Sequence, residues 1–242
     1  MKLMRIAGID VYLHWTFWLV PVCVVCNFLV FGDQVWFVTG ASLFLLLNLS
    51  ICVLLHELGH ALVARRFGAT TKDIIIAPFG GLARLAGMPK NPGQEFLISF
   101  AGPAVNLGIA LLLSVGIFFA GGSLIPPSVF ESLNQLPLIL LWINLVLFLL
   151  NLIPAFPMDG GRMLRSVLAR RMSYLQATVI AGRVGQFSAL FFLFYVALER
   201  QFLLMPVGIF LFFSAQFELN RVRSSEVKEL ERDSSGADSV ER

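Results

Sequence analysis

The sequence predicts an all-α, multi-pass membrane protein with six transmembrane helices and small membrane-associated β-strands near the cytoplasmic face. Of its 242 residues, 57% are hydrophobic and only 14% are charged, whereas soluble globular domains have roughly half and a quarter. The mean hydropathy is +0.82. Long apolar stretches recur along the chain, and basic residues gather on one side of them, as in membrane proteins.

Short β-strands are predicted in two places outside the apolar stretches. Residues 1–14 are too short and too mixed to span a bilayer, and alternating apolar residues around Gly8 favour strands at the membrane face. Residues 68–94 read as a strand, a glycine turn at Gly80-Gly81 and a second strand. We expect both regions to lie at one surface of the membrane.

Six apolar segments are predicted to cross the membrane as helices. They form one domain, residues 1–219, and are followed by a charged tail, residues 220–242, that we expect to be disordered. The predicted spans are about 15–31, 36–66, 95–120, 136–152, 174–198 and 202–217.

The basic residues predict the orientation of the chain. The N-terminus, the 65–94 segment, a loop over 162–171 and the tail hold 16 of the 18 Lys and Arg residues. Cytoplasmic segments carry such an excess, so we expect a cell-membrane protein with both termini cytoplasmic, in a prokaryotic inner membrane. The same asymmetry accounts for a pI near 9.0, and we expect no nucleic-acid partner.

A metal-binding pattern lies inside the second predicted span. His56 and His60 are four residues apart, so on a helix they project from one face, where two imidazoles can share a metal ion. Glu57 is offset to the side, where a carboxylate can act on water without being a ligand. Burying these three groups in a leucine-rich segment is costly unless they are paired or metal-bound, which favours function.

A third metal ligand must come from elsewhere in the chain. Zinc in a hydrolytic site takes three protein ligands and keeps one position for water. Asp159 follows the fourth predicted span on a broken backbone that contains Pro154 and Pro157, and it is a candidate carboxylate ligand. The alternative is that Asp159-Gly160 forms an ordinary surface turn.

Four motifs follow one another along the chain: His56-Glu57-Leu58-Gly59-His60, Phe79-Gly80-Gly81, Ala101-Gly102-Pro103-x-x-Asn106 and Asn151-x-x-Pro154-x-x-Pro157-x-Asp159-Gly160. In these motifs and their order the chain resembles the site-2 protease family of intramembrane zinc metalloproteases, in a compact form without PDZ or CBS domains. The resemblance covers about residues 1–220.

The resemblance implies one Zn²⁺ per chain, bound by His56, His60 and Asp159, with Glu57 as the general base that activates water. It also implies that the protein hydrolyses peptide bonds in transmembrane segments of membrane-protein substrates, near their cytoplasmic ends. Asn151 would donate a hydrogen bond to substrate or oxyanion, although helix capping and interhelix bonding fit this residue equally. Asn106 suits interhelix bonding better than a role in the site.

Other functions fit parts of the sequence. A transporter or channel would also have intramembrane polar residues, but it predicts an internal repeat that is not evident between the two halves. An inactive scaffold would not need Glu57 together with three ligands. Another type of membrane zincin would usually take its third ligand from a downstream helical glutamate. The expected partners are the lipid bilayer and a transmembrane protein or peptide substrate, and a homo-oligomer is left open.

Overall fold

The computed structural model describes residues 1–31, 36–77, 80–86, 91–125 and 135–240. Its helices and strands are, in chain order, β1 (Lys2–Ile6), β2 (Ile9–Leu13), α1 (Leu19–Phe31), α2 (Trp36–Arg66), β3 (Thr70–Ala77), β4 (Gly80–Ala86), α3 (Pro92–Phe119), α4 (Leu136–Asn151), α5 (Asp159–Leu168), α6 (Tyr174–Leu198) and α7 (Met205–Val240).

The chain divides into two compact units, which we describe separately. The first, here called unit 1, comprises Met1–Lys90 and Phe100–Leu150. The second, unit 2, comprises Asn91–Ser99 and Asn151–Arg242. Unit 1 therefore contains the β-sheet, α2 and most of α3, whereas unit 2 contains α5, α6 and α7.

The β-strands of unit 1 form one four-stranded sheet in the order β1-β2-β3-β4. Strands β1 and β2 are antiparallel and are joined by Ala7 and Gly8, with φ angles of 50° and 82°, the left-handed conformations that a two-residue hairpin turn requires. Strand β2 is parallel to β3, and β3 is antiparallel to β4. The strands predicted in 1–14 and 68–94 are therefore present. The turn predicted at Gly80-Gly81 is wrong, because both glycines pair with β3 at the start of β4; residues 78 and 79 lie outside the described residues.

Helix α2 packs one face against this sheet. Leu54, Leu58 and Ala61 recur every three or four residues, so they share a face, and this face contacts Ile9 of β2 and Ile74 of β3. His56, two residues after Leu54, projects about 200° away from it around the helix, and His60 shares the side of His56. The sheet therefore covers the side of α2 opposite to the two predicted metal ligands.

Helix α3 approaches α2 closely at one glycine. A Cβ atom on Gly59 would lie 2.8 Å from the carbonyl oxygen of Ala101 and 2.8 Å from a methyl group of Val105. Because one of these atoms belongs to the backbone, any side chain here would push the two helices apart. Gly59 thus sets the short distance at which α3 faces the histidine side of α2.

A folded-back loop precedes α5 in unit 2. The amide of Met158 donates to the carbonyl of Ala155 at 3.0 Å, and the amide of Gly161 donates to Met158 at 3.1 Å. A Cβ on Gly160 would overlap the carbonyl oxygen of Ile153. Small residues at the start of α5 therefore let the loop lie directly on the helix, and Asp159 becomes the first helical residue.

The segment 162–171, which the sequence predicts as a loop, belongs largely to α5 (Asp159–Leu168). Two glycines at its start lower its intrinsic helix propensity. Tertiary packing compensates, because Arg165 and Ser166 are buried in this helix. The prediction failed because helix stability here comes from the surrounding structure and not from local propensity.

Three of the described helices are long and apolar enough to cross a membrane, over Leu43–Arg66, Pro92–Phe119 and Tyr174–Leu198. Two shorter apolar helices cover Trp15–Cys26 and Leu136–Asn151, fewer residues than the roughly 20 that a span needs. The mostly helical fold with a small sheet is confirmed, with three helices that could span a membrane, and the count of six spans stays a prediction. Helix α7 continues to Val240, and the disorder expected of residues 220–242 also stays a prediction.

Candidate active site

His56 and His60 form a buried pair on α2. Each is 6% exposed, their Nε2 atoms lie 3.0 Å apart, and their rings meet at an interplanar angle of 83°. Two nitrogen atoms bound to one tetrahedral zinc at about 2.0–2.1 Å would be about 3.3 Å apart. The two ligand atoms therefore already converge at nearly the separation that a shared zinc ion requires.

A glycine on α3 lets the backbone of that helix lie directly against this pair. A Cβ on Gly102 would lie 2.7 Å from Nε2 of His56 and would overlap Nε2 of His60 as well. Only hydrogen atoms occupy this position in the native chain, next to both ligand nitrogens. The donor set fits zinc, which takes imidazole nitrogen readily.

Glu57 lies against strand β4 beside the histidine pair. A Cβ on Gly81 would be 2.5 Å from Cγ of Glu57 and 3.1 Å from its carboxylate atom Oε1. Since Glu57 follows His56 by one residue, it is rotated about 100° around α2 from that ligand. The carboxylate is held between the sheet and the metal-binding face, and Gly81 provides the space for it.

Asp159 is buried, with 7% of its surface exposed, and occupies the first turn of α5. The unpaired amides at a helix N-terminus favour a negative charge there. His56 and His60 belong to unit 1 and Asp159 to unit 2, so the binding of one ion by all three stays a prediction. Asn151 is the last residue of α4 and is partly buried, and its predicted contact with substrate stays a prediction.

A buried charge cluster in unit 2 was missed from the sequence. Arg165 is 2% exposed and donates to Oε1 of Glu95 from Nε at 2.8 Å and from Nη2 at 2.5 Å. Its Nη1 donates to Glu218 at 2.8 Å. The guanidinium carbon also lies 5.2 Å from the ring centre of Phe156 and 4.8 Å from that of Tyr174. Arg165 thus ties α5 and the loop before Asp159 to three helices of its unit.

The number of basic residues in each segment does not reveal this cluster. The sequence predicts that Arg165 lies in a basic cytoplasmic loop and that Glu95 begins a membrane span. A carboxylate at the first turn of an apolar helix, in a chain with few acids, is a signal that could have revealed it, because such a group needs a partner.

Long apolar helices, a small sheet and a buried histidine pair beside a glycine define a membrane protein with a metal site. The profile of peptidase family M50 matches residues 44–137 and 127–192. The chain therefore belongs to this family, the site-2 proteases, as the resemblance predicted.

Individual relatives agree with this assignment. Zinc metalloprotease MJ0392 of Methanocaldococcus jannaschii is 38% identical over 221 residues, 90% of this chain and 60% of its own length. Rip3 of Mycobacterium tuberculosis is 33% identical over 77% of this chain and 48% of its own. The solved site-2 protease from M. jannaschii superimposes with a TM-score of 0.61 at 33% identity, over 90% of this chain and 94% of that one. The chain thus spans about half to three fifths of these two curated relatives.

Proposed function

We propose that this chain is an intramembrane zinc metalloendopeptidase, which hydrolyses peptide bonds within or near the transmembrane segments of membrane-protein substrates. The observation that carries the proposal is the buried His56–His60 pair, whose Nε2 atoms converge at 3.0 Å beside Gly102. Two imidazoles in an apolar span are costly to keep without a ligand or partner. The zinc metalloprotease name of the relative from M. jannaschii supports the choice of metal.

The ligand set that we propose is His56, His60 and Asp159 for one zinc ion per chain. Three protein ligands leave the fourth position of a tetrahedral ion open, which is the arrangement of catalytic zinc sites. Zinc held there supplies a Lewis acid that polarises a carbonyl group and makes water nucleophilic at neutral pH. Two buried imidazoles and a buried carboxylate support this set, since these are side-chain types that zinc takes as ligands.

Glu57 serves as the general base and then as the general acid. Its carboxylate takes a proton from the attacking water while the new C–O bond forms at the peptide carbonyl. It then passes that proton to the amide nitrogen, so that the C–N bond breaks and a neutral amine leaves. Asn151 would donate a hydrogen bond to the oxygen on which negative charge develops. The missing side chain of Gly81 lets Glu57 lie beside strand β4.

The substrate is a membrane-spanning segment that unwinds before it is cut. A transmembrane helix hides its peptide groups in its own hydrogen bonds, so residues that weaken the helix near the cut favour cleavage. His56 lies ten residues before Arg66, where α2 ends, which is about 15 Å along the helix axis. With six spans and both termini cytoplasmic in a prokaryotic inner membrane, the site is reached through water from the cytoplasmic side.

The proposal is tested with purified full-length protein in vesicles and two tagged single-span peptides. One peptide carries an uninterrupted leucine segment, and the other carries a Gly-Pro pair near its cytoplasmic end. We expect mass spectrometry to show cleavage of the second peptide, loss of cleavage after zinc removal by a chelator, and recovery on adding zinc. Cleavage that survives complete zinc removal, or zinc-loaded protein that cuts neither peptide, would contradict the proposal.

A further inference from the structure

Asn106 is a fully buried amide on α3 that contacts the histidine pair. It has 0% exposure and lies one helical turn after Gly102, the glycine beside the two ligand nitrogens. Its Nδ2 atom is 3.2 Å from Nδ1 of His56, on the side of the ring away from His60. Its Oδ1 atom has no hydrogen-bond partner among the described residues. The amide therefore faces the imidazole and not the surrounding solvent or lipid.

The position of one proton decides what this contact does. The Nε2 atom of His56 faces His60 at 3.0 Å, so a metal shared by the pair binds at Nε2. A ligand nitrogen must offer its lone pair, and the proton of the neutral ring then resides on Nδ1. This Nδ1–H group needs an acceptor, which an amide NH₂ group cannot be.

The amide of Asn106 supplies that acceptor when its oxygen faces the ring. The side-chain amide of asparagine keeps its shape when its oxygen and nitrogen exchange places. Which of the two positions holds the oxygen is therefore assigned from the hydrogen bonds that each atom can make. With Oδ1 toward His56, the amide accepts from Nδ1–H at the same separation. The buried oxygen that otherwise lacks a partner then has one.

We propose that Asn106 is a positioning residue for the metal site, which accepts a hydrogen bond from Nδ1–H of His56 and thereby holds the proton on Nδ1 and the ring in place. Partners of this kind fix the tautomer of a ligating histidine and raise its basicity. This inference rests on the proposed binding of zinc by His56. It gives Asn106 a role that interhelix packing alone would not require.

A second buried asparagine in unit 1 provides a matched control. Asn144 on α4 also has 0% exposure. Its Nδ2 atom donates to Sγ of Cys52 at 3.2 Å and to the carbonyl of Leu140 at 2.8 Å. Cys52 precedes His56 by one turn of α2. Asn144 therefore bonds to the same helix as Asn106 does, but not to a predicted ligand.

The experiment measures zinc affinity of the full-length protein by competition with a fluorescent chelator, without any peptide substrate. Asn106→Leu removes the acceptor at similar volume, Asn106→Ala removes it without adding bulk, and Asn106→Asp keeps an acceptor oxygen. We expect the Leu and Ala variants to bind zinc about 10–100-fold more weakly. The Asp variant should retain affinity within about threefold, since carboxylates commonly serve as this partner. Asn144→Leu should leave zinc affinity unchanged while it lowers the melting temperature of the metal-free protein.

Two results would overturn the inference: zinc affinity of Asn106→Leu and Asn106→Ala equal to that of Asn144→Leu, or an Asn106→Asp variant as weak as Asn106→Ala. His56→Ala separates this failure from that of the proposed function. If His56→Ala loses zinc while the Asn106 variants do not, only the positioning role falls. If His56→Ala retains full zinc affinity, the proposed metal site itself is wrong.

Discussion

Replacing Gly102 with alanine should empty the metal site without unfolding the protein. The new Cβ would lie 2.7 Å from Nε2 of His56, whereas ordinary contacts begin near 3.4 Å. The nitrogen must therefore move by at least the difference, about 0.7 Å, and Nε2 of His60 must move further. Zinc–ligand distances tolerate only about 0.2 Å. The methyl group thus excludes zinc, although two side-chain rings can turn aside in the metal-free protein.

Metal analysis of the purified variants tests this expectation. We expect zinc content to fall from about one ion per chain to less than about a tenth, and cleavage of the Gly-Pro peptide to disappear with it. The metal-free protein should melt at nearly the wild-type temperature, because Gly→Ala within a helix favours folding by about 0.5–1 kcal/mol. Gly108→Ala, on the same helix and with nothing near its Cβ, should keep its zinc. A Gly102→Ala protein with wild-type zinc content would show that a methyl group at this position does not exclude zinc, which would contradict the expectation.

Further substitutions test the third zinc ligand, the buried charge cluster of Arg165 and the ion pair between β3 and β4. Asp159→Ala should lose zinc as well as activity, because two histidines alone hold the ion poorly; full zinc occupancy by metal analysis would place the third ligand elsewhere. Glu95→Gln should lower the free energy of unfolding by about 1.5–3 kcal/mol, since it weakens the charge-assisted hydrogen bonds of buried Arg165 and leaves Glu218 as its carboxylate partner. Glu95→Met with Arg165→Met should cost less than the two single changes together. Hydrogen bonds from Arg84 lower the pKa of Asp73, although burial of the carboxylate acts to raise it. The pair therefore stabilises the sheet above the ordinary aspartate pKa of about 3.9. This stabilisation is lost as the pH falls through the lowered pKa. Arg84→Ala should therefore speed hydrogen exchange of β3 and β4 at pH 7, and this effect should shrink as the pH is lowered below the ordinary aspartate pKa; an effect that does not depend on pH would contradict this assignment.

The parts of the site that depend on local spacing could be predicted from the sequence. The convergence of His56 and His60 follows from helical periodicity, because both residues belong to one element. The strands at 1–14 and 68–94 follow from alternating apolar residues and from glycine turns. The membrane class follows from composition, which is a property of the whole chain.

The parts that depend on how distant segments meet could not be predicted in this way. The contact of Asn106 with His56 joins residues 50 apart in sequence, and its existence depends on how closely α3 lies on α2 at Gly59. Glu95 and Arg165 are 70 residues apart, so nothing in either local pattern names the other. The Ala-Gly-Pro motif marks Gly102 as part of a family pattern. Only the three-dimensional structure shows that this glycine lies directly against the two imidazole rings.

Glu57→Gln gives the most direct test of the central claim, because it separates metal binding from catalysis. Glutamine keeps the size of Glu57 and one of its acceptor oxygens but removes the base, while His56 and His60 are untouched. Zinc content and cleavage of the Gly-Pro peptide should be measured on the same purified sample. We expect about one zinc ion per chain, as in wild type, with turnover lower by about 10²–10⁴-fold. A Glu57→Gln protein that holds zinc and cleaves at the wild-type rate would contradict it.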